Sequence, residues 1–215
     1  MNRHESVLLI FARAPEPGKA KTRLIPALGP ERATELHRSL IIYTLKQATR
    51  TAFSAIRLYC FPDTTHDFFQ ECEQRFNVDL YSQQGKDLGE RMLLAFQETL
   101  SDHTHAVVIG SDCPGISSEI LDRAGQALES SGNDAVVGPS ADGGYYLLGL
   151  QRMNSRLFKD MPWSTERVAD ITRQRLRELA WCWSELPVLR DIDIISDLEA
   201  WQGGPECQTN SYKMV

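Results

Sequence analysis

Residues Val7–Leu24 read VLLIFARAPEPGKAKTRL, and this stretch decides the fold class. Val7–Phe11 runs without a polar break, the pattern of a short strand buried on both faces. A loop follows at once. Pro15 and Pro17 stiffen it, and Gly18 lets its backbone approach a ligand closely. Gly29 and Pro30 then open a helix, in which Ala33, Leu36, Leu40, Tyr43 and Thr44 recur at three- and four-residue steps. Strand, loop and helix in that order form the unit from which parallel sheets are built.

The same rhythm continues along the chain. Ala55–Phe61, Val78–Tyr81, His105–Ile109, Asp134–Gly138, Gly144–Leu150 and Leu186–Leu189 read as strands. Helices are expected over Thr64–Phe76, around Leu88, Met92, Ala95, Phe96 and Leu100, and from a Ser117 cap to about Ser130. Another starts at a Ser164 cap and carries Val168, Thr172, Leu176 and Leu179, and Ser196 with Glu199 forms a capping box for a short last helix. The class is α/β, a mostly parallel sheet with helices on both faces in a single domain. That domain is expected over residues 1–202, with a flexible tail over 203–215. In such sheets ligands sit beyond the carboxyl ends of the strands, so the post-strand loops are where function is sought.

Of 215 residues, 42% are hydrophobic and 24% charged, which excludes wholesale disorder. A formal charge of −6 argues against a dedicated nucleic-acid binder but permits a local basic pocket. No apolar run approaches the roughly 18–20 residues of a membrane span. The six apolar residues Val7–Ala12 fall short of the ~7–15 of a signal sequence, and Glu5 precedes them, so a cytoplasmic chain is expected. Five scattered cysteines without a C-x-x-C pair indicate neither a disulfide framework nor a structural zinc site. The histidines (His4, His37, His66, His103, His105) show no ligand spacing and receive no role.

Four candidate sites follow strands. In the first loop Arg13, Lys19, Lys21 and Arg23 lie within eleven residues. The last three alternate, so an extended segment would aim them at one side, toward a di- or triphosphate. A solvated basic loop is the other reading. The Walker and dinucleotide glycine patterns are both absent. In Gly110-Ser111-Asp112-Cys113-Pro114 the carboxylate is placed either to meet a divalent cation or to satisfy turn amides. Asp191-Ile192-Asp193 offers two carboxylates on one face of an extended chain, either of which could give a second metal contact, or it is simply a polar strand end. Asp142-Gly143-Gly144-Tyr145-Tyr146 is a hairpin turn or a ligand contact, and Trp163 is an aromatic platform beside a helix cap.

Together these segments resemble the bacterial glycosyltransferase-like family of rSAM/selenodomain-associated transferases. The resemblance rests on Phe11–Pro15 through Gly18, Lys21–Leu24, Gln84-Gly85 with Asp87–Met92, Gly110–Pro114, Asp142–Tyr145 and Trp163–Thr165. It spans about Val7 to Trp201. It implies the GT-A, Rossmann-like fold of the nucleotide-diphospho-sugar transferase superfamily, whose cousins include guanylyltransferases of cofactor biosynthesis. It also implies that the Arg13–Arg23 loop, Gly18 included, cradles nucleotide phosphates, that Gly85, Leu88 and Gly89 lie near the base, and that Asp112 binds the metal. Relatives often read Asp-x-Asp-Thr-Pro-Glu-Asp-Leu near the end, whereas Ile194, Ile195 and Ser196 replace the middle here and Asp193 and Asp197 survive.

The expected activity is a Mg2+- or Mn2+-dependent transfer of a sugar from a nucleotide-diphospho-sugar to a small-molecule acceptor. The metal would sit on Asp112 and Asp193. Asp142 would position the acceptor or take its proton, and Gly143, Gly144, Tyr145 and Trp163 would line the acceptor subsite. The alternatives are a nucleotidyltransferase that uses an NTP and releases pyrophosphate, and a non-catalytic nucleotide-binding protein. No nucleic-acid or membrane partner is expected, and oligomeric state is not legible.

Overall fold

In the computed structural model, residues 4–130 and 132–201 are described. The first strand, β1 (His4–Arg13), stands in the middle of the sheet. A 3-10 turn (Thr22–Leu24), α1 (Ile25–Leu28) and α2 (Pro30–Ala48) follow. Then come β2 (Ala55–Phe61), α3 (Asp67–Phe76), β3 (Asp79–Ser82), α4 (Leu88–Asp102), β4 (His103–Gly110) and α5 (Ser118–Glu129). The chain continues through β5 (Ala135–Pro139), β6 (Tyr145–Leu150), a second 3-10 turn (Ser155–Leu157), α6 (Val168–Glu178), β7 (Trp183–Glu185) and α7 (Ile195–Trp201).

The seven strands order as β3-β2-β1-β4-β6-β5-β7. All neighbours pair in parallel except β6, which runs antiparallel to both β4 and β5. The register sets Arg13 beside Phe61 and Phe11 beside Gly110, so β1, β2 and β4 end at one edge. Because β6 is reversed, it starts at that edge, with Tyr145 paired to Pro139.

The unbroken apolar run of β1 has a direct cause. Leu8, Ile10 and Ala12 enter a core with Ile41 and Leu45 of α2, Phe68 and Phe69 of α3, and Leu121 and Leu128 of α5. Val7, Leu9 and Phe11 point the other way, to Met92 and Phe96 of α4 and Leu176 of α6. Each wholly buried leucine or isoleucine contributes about 1.5–3 kcal/mol. Cys60, Cys72 and Cys113 are free and buried, and Cys182 is free and exposed. No helix among the described residues is long and apolar enough to cross a membrane.

Four local expectations are corrected. The basic loop is not extended: Lys21 takes a left-handed conformation (φ 48°) and Thr22–Leu24 coil into the 3-10 turn. Ser164 does not cap α6. Its φ is 64°, the helix starts at Val168, and Thr165 accepts from the Val168 and Arg167 amides instead. The last strand is Trp183–Glu185 and not Leu186–Leu189, of which only Leu189 forms an isolated bridge, to Ser140. The capping-box carboxylate of α7 is Asp197, whose Oδ2 accepts from the amides of Asp193 (3.1 Å) and Ile194 (3.0 Å), two residues earlier than Glu199. The expected tail, 203–215, lies outside the described residues.

Candidate active site

The strand ends frame a cleft of about 690 Å3. β1 delivers Arg13, β4 delivers Asp112, the turn into β6 delivers Asp142 and Tyr145, and the segment between β7 and α7 delivers Asp191 and Asp193. That last segment is pinned from several sides. The Ile192 amide donates to Asp112 O at 3.0 Å, the Ala141 amide to Leu189 O at 2.8 Å, and Asp197 holds the amides that follow. Two stretches about eighty residues apart in sequence are thereby laid side by side.

Their carboxylates share a cation. Lys21 Nζ lies 2.9 Å from Asp112 Oδ1 and 3.4 Å from Asp193 Oδ1, and it donates to Ile192 O at 2.5 Å. Asp112 has one enclosed oxygen, Oδ1, although its side chain is 42% exposed, so Oδ2 carries that exposure into the cleft. Burial opposes ionisation of Asp112, but the Lys21 ammonium and the neighbouring His37 outweigh it and hold the carboxyl far below the usual range. Asp191 goes the other way. Burial first, then the negative charges of Asp112, Asp142 and Asp193, push it up to about 7.

His37 was given no role from sequence. It sits buried on α2 with Nδ1 3.6 Å from Asp112 Oδ1. Nε2 lies 3.0 Å from Arg13 O, and because a carbonyl only accepts, Nε2 carries the proton. One residue therefore links the basic loop to Asp112. The sequence signal was slight: a histidine on the buried stripe of α2, beside Ala33, Leu36, Leu40 and Ile41.

On the opposite side, Arg13 and Arg91 both stack on Phe61, at 4.6 Å and 4.0 Å from the ring centre. Arg91 Nε also donates to Gly85 O at 3.1 Å. Lys19 pairs with Glu16 at 2.5 Å, and Arg23 reaches Asp193 at 3.7 Å. Asp142 Oδ1 accepts from the Ser140 hydroxyl and from the Gly144 amide (3.0 Å), which fixes the turn and leaves Oδ2 outside those bonds. Tyr145 meets Trp163 edge to face at 6.4 Å between ring centres.

Of the residues singled out from sequence, Arg13, Lys19, Lys21, Arg23, Leu88, Asp112, Asp142, Gly144, Tyr145, Trp163 and Asp193 line this cleft. Gly18, Gly85, Gly89 and Gly143 are not among its lining residues. Gly89 leaves room for the Trp163 indole, which a Cβ there would meet at 2.6 Å. Gly143 has φ +86° and packs on the Glu166 backbone. Sequence reasoning did not single out His37, Phe61, Gln83, Arg91 or Ser140 as lining residues, because each reaches the cleft by tertiary packing.

The donors present suit a hard divalent cation. Asp112 and Asp193 already share one positive charge, the enclosed Asp112 Oδ1 has the Lys21 ion pair but no hydrogen bond, and Asp191 keeps an enclosed oxygen free of hydrogen bonds. Among the described residues no three His, Cys, Asp or Glu side chains form a ready cage. Mg2+ prefers one or two carboxylates with phosphate oxygens and water, and these residues could supply the carboxylates of such an open site.

A family model described as "Uncharacterized protein conserved in bacteria (DUF2064)" matches residues 44–165, more than half of the chain. No curated protein matches it. Among solved structures, a Desulfovibrio desulfuricans G20 protein, assigned by its name to the nucleotide-diphospho-sugar transferases, shares 30% identity. The match has a TM-score of 0.86 and covers 96% of this chain and 90% of that one. A Leptospira borgpetersenii cytidylyltransferase is similar at 19% identity and TM-score 0.59, over 91% of this chain and 84% of that one. Glucosyl-3-phosphoglycerate synthase from Mycobacterium tuberculosis, solved with Mn2+ and UDP, is similar at 11% identity and TM-score 0.56, over 93% and 75% of the two chains. The last two likenesses concern the fold alone, and they span both nucleotidyl and sugar transfer.

Proposed function

The chain belongs to the DUF2064 family of bacterial proteins, and we propose that it is a divalent-cation-dependent transferase that moves a sugar from a nucleotide-diphospho-sugar to a small acceptor. One observation carries this reading: carboxyl groups (Asp112, Asp191, Asp193) and cations (Arg13, Lys19, Arg23, Arg91) line a single cleft. A diphosphate bound with a divalent cation needs both signs within reach. The name borne by the 30%-identical Desulfovibrio desulfuricans protein supports the same reading.

Asp112 and Asp193 would hold the cation, which when bound supplies Lewis-acid neutralisation of the diphosphate. Arg13 and Arg91, both held over the Phe61 ring, offer planar forks to phosphate oxygens. With Lys19 and Arg23 they form a fixed positive field where charge gathers on the leaving diphosphate. Asp142 Oδ2 is the atom that would take the acceptor's proton, its partner oxygen being fixed by Ser140 and Gly144. Tyr145 and Trp163 give an aromatic wall for a sugar or acceptor.

The cleft's cations also suit the larger charge of a triphosphate, which supports nucleotidyl transfer as the second reading. A thermal-shift series with nucleoside diphosphates, nucleotide-diphospho-sugars and NTPs, with and without Mn2+, separates the possibilities. A nucleotide-diphospho-sugar at 100 times its Kd should stabilise the Mn2+-loaded protein by about 2.7 kcal/mol. Turnover with an acceptor should release nucleoside diphosphate. Pyrophosphate released from an NTP would favour the second reading, and no stabilisation by any nucleotide would overturn both.

A further inference from the structure

Lys21 differs from every other cation of the cleft. Its side chain is 4% exposed, against 66% for both Lys19 and Arg23. Its ammonium meets three oxygens, those of Ile192 O (2.5 Å), Asp112 Oδ1 (2.9 Å) and Asp193 Oδ1 (3.4 Å). Two of these contacts are hydrogen bonds, to Ile192 O and Asp193 Oδ1, and the third is the ion pair with Asp112, so the protein alone supplies the ammonium's partners. The backbone takes a left-handed conformation (φ 48°, ψ 42°) that L residues avoid, and Lys21 points inward where Lys19 and Arg23 point outward.

We infer that Lys21 is a resident counter-ion that occupies the divalent cation's place on Asp112 and Asp193 until a nucleotide arrives, and so makes metal binding depend on nucleotide. This rests on the reading, given above, that those two aspartates hold the cation. Mg2+ binds oxygens at about 2.0–2.1 Å. A cation on either oxygen of Asp112 would set a double positive charge close to the ammonium that lies 2.9 Å from Oδ1, and the two repel. The repulsion favours departure of the lysine, and leaving strips it of two hydrogen bonds and an ion pair in a buried position. Metal alone therefore binds against the loss of those contacts. With a nucleotide present, phosphate oxygens beside Lys19 and Arg23 give the displaced ammonium new acceptors. Each ligand then strengthens the other, and by linkage the coupling is the same in both directions.

The test measures Mn2+ binding by calorimetry without nucleotide. Lys21→Gln keeps a donor for Ile192 O and removes the charge, and Lys21→Met removes both. Each folded variant, checked by circular dichroism, should bind Mn2+ alone at least tenfold more tightly than the wild type. Equal or weaker Mn2+ binding overturns the inference. A second readout uses the wild-type chain, so that it survives a folding failure of the variants. Acylation of lysines, read by peptide mass spectrometry, should leave Lys21 protected without ligand and label it several-fold more in saturating Mn2+. Unchanged labelling with Mn2+ bound counts against the inference. UDP and GDP binding to the wild type, with and without Mn2+, keeps the two claims apart. Mn2+-dependent nucleotide binding with no gain in the variants sinks this inference and leaves the transferase reading standing. Absence of Mn2+-dependent nucleotide binding sinks the transferase reading whatever the variants do.

Discussion

Lys19, Lys21 and Arg23 are spaced two apart in sequence and meet three different environments: an exposed pair with Glu16, an enclosed set of oxygens, and a long contact with Asp193. Arg23 is the one exposed to the cleft without a close partner. Arg23→Ala should therefore cost about 1.5–3 kcal/mol in nucleotide affinity by calorimetry, the worth of a charge-assisted hydrogen bond. Its urea midpoint should stay within about 0.5 kcal/mol of the wild type, as for other surface substitutions. Alternation in the sequence suggested one common direction for the three, and it failed for a specific reason. A left-handed residue other than glycine leaves no mark in composition, so the turn at Lys21 was illegible. Asp112 and Asp193 were legible as candidates because each follows a strand or its expected continuation. His37 was not, since its relation to Asp112 depends on how α2 packs against the end of β4.

At the scale of elements, the reversed strand β6 brings the Asp142–Tyr145 turn to the same edge as the ends of β1 and β4. Gly143 makes that turn fit. A Cβ there would lie 2.1 Å from Glu166 O on a φ of +86°, whereas Gly18, at φ +80°, has nothing within 4 Å. Gly18→Ala should cost about 1–2 kcal/mol in urea denaturation, the backbone cost of a left-handed alanine. Gly143→Ala should cost more, because backbone must also shift, and equal costs would show that the Glu166 contact yields freely. A second element contact joins α6 to β7, where Arg173 meets Glu185 through two bonds of 2.7 and 3.0 Å. The Arg173 hydrogen bond, opposed by burial and aided by Trp183, lowers the Glu185 pKa. A lowered folded pKa gives stability that is present above the unfolded value, about 4.3, and lost as pH falls through the folded one. The pair is partly exposed, so Glu185→Gln should remove less than about 1 kcal/mol at pH 7 and nothing well below pH 4. A larger loss at pH 3 than at pH 7 would reverse that sign. The helix starts were read less well than the strands, because Ser164 and Ser196 look like caps while Thr165 and Asp197 make the bonds.

Across the whole molecule, the buried apolar stretches Val7–Phe11, Leu58–Cys60 and Ala106–Ile109 made the alternation of strands and helices legible, because double burial excludes polar residues from them. The strand order and the reversal of β6 were not, since they are set by pairing between segments far apart. A chain of net charge −6 nevertheless gathers five cations along one cleft together with its carboxylates. That concentration of both signs, with Asp112 among them, would be the basis of the proposed metal-dependent nucleotide binding. Calorimetry of UDP and GDP binding, with and without Mn2+, on the wild type and on Asp112→Asn tests it most directly. Asparagine keeps the size and a hydrogen-bonding oxygen but lacks the anion that a hard cation requires. Mn2+ should raise nucleotide affinity in the wild type and leave it unchanged in Asp112→Asn. A full Mn2+-dependent gain in the Asp112→Asn protein would contradict the assignment and reduce Asp112 to a turn residue.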